Sequence, residues 1–560
     1  MLELFETNWR DVWAGAEDAA GVGAIYTKPE IVDLILDLAE YRPEVARLST
    51  QRLLEPSCGD GAFLQAIVRR VISSERMHGD ELDWNNSDLD RCVRAIDLSE
   101  SAVEKARVLI VEGLVAEGCP QIRASTLAAT WAIQGDFLLV NWEEKFSVVV
   151  GNPPYVRLED LPKRVLAEYR RRFATLTDRA DLYIAFFERG LQLLDAQAVL
   201  AFICANRFAK NQYGLALRRL IAERYRVRHY INLEHTQPFL SDVSAYPAIV
   251  AIDRQLGCAT QAGTLGDLQV ATLEAVRAQS FAGTVNVGPL AQFRHWYPDG
   301  APWSSTSLDE VSLLTELRNG YTLIEDSGGR TRVGIGVATG ADDVFVLPEK
   351  SALIEEARLI PLLMAGDVGV LGERWSGHFL VNPFADEDDG SLVDLKRYPG
   401  LAAHFESHAE QLRGRHVAKT RQANWFRTID RIWPALTSTP KLMIPDIQRG
   451  GVIGLDEGRF YPHHNLYWIT SDTWDLRALH ALLRSTQVLM QVRAYSVQMR
   501  GGSVRYQAQT LRRVRIPSVE SLSAAVLDRL IAVSRSTVQG ELDEVAAEAF
   551  GIATPRIIAA

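Results

Sequence analysis

Along the first half of the chain, short apolar runs end in polar or glycine-containing turns, and stretches with helical spacing separate them. Ile31, Val32, Leu34, Ile35, Leu36 and Leu38 fall on one face of an amphipathic helix, because positions three and four apart share a face. Thr27, followed by Pro29 and Glu30, predicts the cap of that helix, and residues 1–20 predict a short helical arm before it. Arg52 to Glu55 reads as a strand, and Ala62, Phe63, Leu64, Ile67 and Val68 mark the helix that follows its turn. Val93 to Leu98 repeats the strand signal, 100–117 the helix, and Ala132 to Gln134 gives another strand end. Residues 74–91 read as a polar insertion. Val148, Val149 and Val150 form a β-branched run that stops at Gly151, the pattern of a strand buried in a parallel sheet. The alternation predicts an α/β fold with helices on both faces of an open sheet.

Ligands bind such sheets at the carboxyl ends of the strands, and four strand ends here carry candidate groups. The first is Glu55-Pro56-Ser57-Cys58-Gly59-Asp60-Gly61, where Gly59 and Gly61 permit a tight turn and close backbone approach at a helix N-terminus. It lacks the Lys-Ser/Thr of a phosphate loop, so a ligand with a carboxylate, an amine and a nucleoside fits better than a dinucleotide. The second is Asp97-Leu98, an acid placed to accept from ribose hydroxyls. Asp136-Phe137 is the third, an acceptor for an adenine amine beside a ring that packs on the base. The fourth is Asn152-Pro153-Pro154-Tyr155, stiffened by two prolines. Its carboxamide oxygen, its Pro153 carbonyl and its flat ring suit a planar heterocycle with an exocyclic amine. Taken singly, each of these also reads as an ordinary turn.

Charge divides the chain unevenly. The net charge is −11, yet residues 157–228 carry fifteen Lys/Arg against eight Asp/Glu. Arg157, Arg207, Lys210 and the clusters Arg170-Arg171-Arg172 and Arg218-Arg219 are candidates for phosphate contacts. Five cysteines without paired spacing argue for a reducing compartment and against a zinc site or disulfide frame, and no metal is expected. The opening Met1 to Glu6 is acidic and lacks an apolar core, and no uncharged apolar run reaches the ~18 residues of a membrane span. A cytoplasmic protein without membrane contact is expected.

Residues 256–305 turn small and polar and read as a linker between a catalytic domain over 21–255 and a mixed α+β domain over 306–518. The glycine-spaced run Val333 to Leu347 has no strand–turn–helix context and is rejected as a phosphate loop. From Arg484 to Arg515 there are seven Arg and no Asp or Glu, around Gly501-Gly502. Arg500, Arg505, Tyr506 and Arg512 are the candidates there for phosphate and base-edge contacts. Residues 519–560 read as an acidic helical tail.

Together these motifs resemble the gamma-class, TaqI-like DNA adenine-N6 methyltransferases of restriction–modification systems, which use S-adenosylmethionine. Tyr26-Thr27-Lys28-Pro29, the Glu55 to Gly61 turn, Asp97, Asp136-Phe137 and Asn152 to Tyr155 follow one another in that family's order. Asp181 to Glu188, containing Phe186, resembles its next helix. Leu200 to Phe208 resembles a strand and turn, and Pro238 to Val250 the loop and strand supplying a second aromatic, Phe239. The insertions at 74–91 and 118–131 depart from the pattern. The resemblance implies a Rossmann-like methyltransferase sheet and a C-terminal target-recognition domain. It implies that Tyr26, Thr27, Pro29, Glu55, Pro56, Ser57, Cys58, Gly59, Gly61, Asp97, Leu98, Asp136, Phe137, Asn152 and Phe186 surround the cofactor. It also implies double-stranded DNA as partner, acting as a monomer, with any restriction endonuclease encoded separately and not stably bound.

In the mechanism this implies, the target adenine is extruded from the duplex. Asn152 Oδ1 and the Pro153 carbonyl accept its two N6 hydrogens, Pro154 stiffens the loop, and Tyr155 and Phe239 sandwich the ring. Transfer is direct, so positioning supplies most of the effect. The chain has no Pro-Cys dipeptide, which excludes the nucleophile of cytosine-C5 transfer. An N4-cytosine enzyme, which usually carries Ser in place of Asn152, remains an alternative. So does an amino-methyltransferase acting on RNA or protein glutamine, although such enzymes are generally smaller. A fused nuclease is not expected, because the Pro445-Asp446 strand end lacks a following Glu-x-Lys.

Overall fold

Nine strands of the first unit hydrogen-bond into one sheet in the order β3-β2-β1-β4-β5-β7-β6-β8-β9. They are β1 Leu53–Glu55, β2 Val93–Asp97, β3 Ala132–Gln134, β4 Phe146–Gly151, β5 Leu194–Ala205, β6 Arg226–Asn232, β7 Pro247–Asp253, β8 Thr260–Thr264 and β9 Ala291–Phe293. The computed structural model describes residues 8–552 apart from 16–24, 80–81, 178, 242–245, 283–287, 295, 298–299, 304–305, 327, 370–371, 373, 386–389, 421 and 497–502. It divides into two compact units, Met1–Leu308 and Asp309–Ala560.

Strands β1 to β5 run parallel, with Leu53 opposite both Val93 and Val148, and Gly151 opposite Phe202. Strand β7 inserts antiparallel between β5 and β6. Because both faces are covered, β4 needs no polar alternation, and Val148, Val149 and Val150 are all buried. Burying each such side chain contributes roughly 1.5–3 kcal/mol. The helices are α1 Trp9–Trp13, α2 Pro29–Leu38, α3 Ala62–His78, α4 Glu100–Ala116, α5 Gln121–Trp131, α6 Lys163–Arg172, α7 Tyr183–Gln192, α8 Arg207–Lys210, α9 Leu215–Arg224 and α10 Val270–Ala282. The apolar face of α2 joins α3, α4 and α5 in one core with the sheet. No helix among the described residues is long and apolar enough to cross a membrane.

Several expectations need correction. Residues 256–305 are not a linker: they supply β8, α10 and β9, and β8 pairs with β6 over His229–Asn232. Small polar residues suit an edge-proximal strand as well as a loop, which is why composition misled. Thr27 does not cap α2; Lys28 holds that position without a side-chain bond. The two insertions pack on each other, so the polar stretch 74–91 is not a free loop. Residues 118–131 contain α5, whose Arg123 binds the Trp84 carbonyl at 2.7 Å and Asp90 at 2.6 Å, while Trp131 donates to the Leu89 carbonyl. Of the expected arm, 8–15 are described, with 1–7 and 16–20 outside the described residues, as are Gly21 to Ala24.

The second unit is mixed α+β. One four-stranded sheet orders Thr331–Ile335, Leu466–Ser471, Lys441–Pro445 and Gly454–Asp456; another orders Val346–Leu347, Phe379–Val381, Leu359–Leu363 and Tyr461–Pro462. The glycine spacing at 334 and 336 has a packing cause. A Cβ at Gly334 would lie 2.1 Å from the Trp468 ring, and one at Gly336 2.1 Å from the His463 carbonyl oxygen. The expected tail, over its described residues 519–552, packs into this unit's core. Val526, Leu530, Leu542 and Phe550 are buried in it, and Asp543 accepts from the Thr486 amide and hydroxyl, both at 2.7 Å.

Candidate active site

The carboxyl ends of β1, β2 and β4 carry Glu55, Asp97 and Gly151, so the three turns after them lie along one edge of the sheet. Gly59 (φ +51°) and Gly61 (φ +93°) take left-handed conformations that only glycine adopts freely, turning the chain into α3. The Gly59 amide donates to Asp97 Oδ2 and the Ser99 amide to Oδ1, each at 2.9 Å. Asp97 is thereby fixed beside the turn. Burial raises its pKa, outweighing these backbone bonds.

A cavity of about 300 Å³ opens along this edge. Tyr26, Thr27, Glu55, Pro56, Ser57, Cys58, Gly59, Asp97, Leu98, Asp136, Phe137, Asn152, Pro154 and Phe186 line it, bringing together most of the residues singled out from sequence. Pro29 and Gly61 begin α2 and cap α3 instead, and Pro153, Tyr155 and Phe239 are also outside the lining. Trp13, Ile25, Asp60, Phe63, Val156, Tyr169 and Leu182 line the cavity without having been identified from sequence. Phe63 carried a signal as an apolar position at the start of a helix. Trp13 and Tyr169 carried none, because they meet Asp136 only through tertiary packing.

Glu55 sits at the cavity with one carboxylate oxygen buried and without a hydrogen-bond partner. Burial, then the charge of Asp97, holds its pKa well above the usual carboxylate range. A carboxyl with a raised folded pKa stabilises the fold below its unfolded pKa, and this stability is lost as pH rises through the folded pKa. Glu55→Gln is therefore expected to raise the melting temperature of the ligand-free protein, increasingly so at higher pH. Scanning calorimetry across a pH series checks this; a lowered melting temperature at high pH would refute it.

Asp136, expected to accept from an adenine amine, already accepts three hydrogen bonds within the protein. Its Oδ2 accepts from Trp13 Nε1 at 2.8 Å and Tyr169 Oη at 2.7 Å, and its Oδ1 from the Leu138 amide at 2.8 Å. The carboxylate thus ties α1 and α6 to the end of β3. Phe137 packs against Phe186 with ring centroids 5.1 Å apart.

Asn152 is held on its nitrogen side. Nδ2 donates to the Ile25 carbonyl at 2.8 Å and to Thr27 Oγ1 at 3.3 Å, and Ser57 Oγ donates to the Asn152 carbonyl at 3.1 Å. Because the Ile25 carbonyl can only accept, it selects the amide orientation. Asn152 Oδ1 is left buried with no protein partner. The same segment fixes the second aromatic: the Lys28 amide donates to the Pro238 carbonyl and the Leu240 amide to the Tyr26 carbonyl, both at 2.9 Å, around a Thr27–Phe239 bridge. Phe239 meets Tyr155 edge-on at 84°, with centroids 6.1 Å apart. The expected sandwich needs parallel rings about 7 Å apart, twice a van der Waals contact, so the rings do not form that slot here. Residues 242–245 of this loop lie outside the described residues.

The basic candidates divide. Arg157 and Arg207 are exposed, and Lys210 is half-buried. Arg218 is buried and serves the fold, donating to the carbonyls of Gly300 at 3.0 Å and Asn211 at 2.9 Å. Arg171 and Arg172 pair with Glu168. In the second unit Arg505 pairs with Asp446, and Arg512 pairs with Glu325 at 2.8 Å and binds the Val333 carbonyl at 2.6 Å. Tyr506 is buried in the core, which corrects its expected base-edge role. Arg500 lies outside the described residues.

The Eco57I restriction-modification methylase family matches residues 79–239, a span that contains Asp97, Asp136 and Asn152 to Tyr155. The Type II methyltransferase M.PaeR7I of Pseudomonas aeruginosa is 45% identical over 88% of this chain and 86% of its own length. The Type II methyltransferase M.XhoI of Xanthomonas vasicola is 41% identical over 92% of this chain and 96% of its own. Among solved structures, the Type IIL restriction-modification enzyme MmeI in complex with DNA shares the fold, with a TM-score of 0.61 at 12% identity, over 98% of this chain and 76% of that one. The chain belongs to the Type II methyltransferases of restriction–modification systems.

Proposed function

We propose that the protein transfers a methyl group to the N6 amine of an extruded adenine in double-stranded DNA, as the modification activity of a restriction–modification system. One observation carries this reading: Asn152 Oδ1 is a buried acceptor without a partner, beside the cavity, on an amide that Ile25 and Thr27 hold in one orientation. Buried acceptors are nearly always satisfied, so an orphan at a cavity wall marks a ligand donor. An exocyclic amine supplies that donor.

The cavity fits S-adenosylmethionine by the chemistry of its walls. The orphan carboxylate oxygen of Glu55 suits a cationic group, Asp97 retains lone pairs for ribose hydroxyls, and Phe137 and Phe186 offer ring faces to a nucleobase. The Gly59–Gly61 turn at the start of α3 suits a carboxylate. When bound, the cofactor supplies an electrophilic methyl on a sulfonium. Asn152 Oδ1 and the Pro153 carbonyl hold the two amine hydrogens, which keeps the nitrogen lone pair toward that methyl and disfavours its delocalisation into the ring. The base is proposed to stack on Tyr155, with Phe239 packed edge-on against that ring. The proton leaves only as the nitrogen becomes cationic, so no side chain serves as prior base. Arg157, Arg207 and Lys210 are proposed to meet DNA phosphates. The second unit is proposed to select the target sequence, with the protein acting as a monomer and any endonuclease encoded separately.

Single-molecule sequencing of DNA from cells expressing the protein is expected to reveal N6-methyladenine at one recurring sequence. N4-methylcytosine at such a sequence, or no added modification, rejects the adenine reading.

A further inference from the structure

The second unit holds a side-chain cluster that methyl transfer leaves unused. His463 and His464 follow the strand Tyr461–Pro462, and Asp342 opens the short helix Asp342–Phe345. Close backbone packing joins the two segments: Gly336 leaves no room for a Cβ against the His463 carbonyl, and Val337 bridges to His463. His463 Nε2 stands 3.1 Å from Asp342 Oδ2, and His464 Nδ1 stands 3.9 Å from the same oxygen. One ligand atom from each residue lies within 4.8 Å of the other two.

Two further observations point to a ligand. The His463 side chain is only 3% exposed with its Nε2 directed at Asp342, and His464 Nδ1, the ring nitrogen on the Asp342 side, is buried without a hydrogen-bond partner. Such an orphan is rare in a folded protein and calls for an unseen partner. The other oxygen of Asp342 accepts from the Thr339 hydroxyl, which fixes the direction of the carboxylate.

We propose that Asp342, His463 and His464 bind one divalent transition-metal ion, with zinc the best match. Zinc takes imidazole nitrogen at about 2.0–2.1 Å and carboxylate oxygen at about 2.0–2.2 Å, which sets tetrahedral ligand atoms roughly 3.3–3.5 Å apart. The observed 3.1 and 3.9 Å bracket that spacing. Magnesium and calcium take oxygen donors and do not suit two imidazoles. Asp342 and His464 are partly exposed, leaving a fourth position for water. The ion would clip together segments 121 positions apart. The cysteine count speaks only against thiolate sites and is silent about this one.

Calorimetric titration of zinc into tag-free, chelator-treated full-length protein tests the proposal. One equivalent is expected to bind, and Asp342→Asn and His464→Gln are each expected to weaken binding by at least about tenfold, since a first ligand is lost. Zinc is also expected to raise the melting temperature of the unsubstituted protein. Cobalt substitution of that protein gives a readout that needs no variant, with visible bands and X-ray absorption reporting two imidazoles and a carboxylate. No saturable uptake, uptake unchanged in the doubly substituted protein, or a different ligand set each overturns the site.

Discussion

Replacing Asn152 by alanine is expected to cut methyl transfer to DNA by about 10²- to 10³-fold, the usual loss when one preorganised polar contact to the reacting group is removed. Cofactor affinity is expected to change little, because the lost oxygen is the proposed acceptor for the amine. The geometry makes this separable. Nδ2 is occupied by Ile25 and Thr27, so the oxygen alone remains for the substrate. Alanine removes the acceptor and also frees the Ile25 carbonyl, so a small stability loss of about 1 kcal/mol accompanies the kinetic one. Rapid-quench turnover and equilibrium cofactor binding, measured on the same variant, distinguish the two effects. Near-native turnover would sink the role assigned to Asn152. A turnover loss matched by an equal loss of cofactor affinity would place the residue in the cofactor site.

The second large effect is expected from Asp136→Ala, and it is structural first. Trp13, Tyr169 and the Leu138 amide all donate to this carboxylate. Each buried donor left without an acceptor costs about 1–3 kcal/mol. The three are neighbours, so their costs do not add fully, and a total of about 3–5 kcal/mol is expected. Urea unfolding followed by tryptophan fluorescence reads this as a shift in midpoint. Because Trp13 and Tyr169 line the cavity, cofactor affinity should fall in the same variant. Trp13→Phe keeps an aromatic wall and removes one donor, so it should reproduce a minor part of the stability loss. If Asp136→Ala instead left the midpoint unchanged and altered only cofactor affinity, Asp136 would be a ligand-facing acceptor and the network an incidental one.

Sequence order made the site legible because strand ends carry their ligands at fixed places. The turn after β1, the acid after β2 and the loop after β4 converge on one edge whatever the insertions between them do. What stayed hidden was whatever depends on partners far along the chain. The contact of Trp13 with Asp136 spans 123 positions and leaves no spacing to read. Arg218 and Tyr506 looked like nucleic-acid contacts because composition reports charge and ring, not direction. Arg218 instead satisfies backbone carbonyls in the interior, a use of guanidinium that a charge count cannot distinguish from a phosphate contact. The stretch 256–305 was misread for a related reason. A strand such as Thr260–Thr264, whose pairing supplies its stability, needs little apolar content of its own.

The most direct test is transfer of an isotope-labelled methyl group from S-adenosylmethionine to DNA by the purified protein, followed by nucleoside analysis. Label is expected in N6-methyladenine, saturating at a fixed number per DNA molecule, and is expected to be lost with Asn152→Ala. Label in N4-methylcytosine, or none in DNA, would contradict adenine methylation.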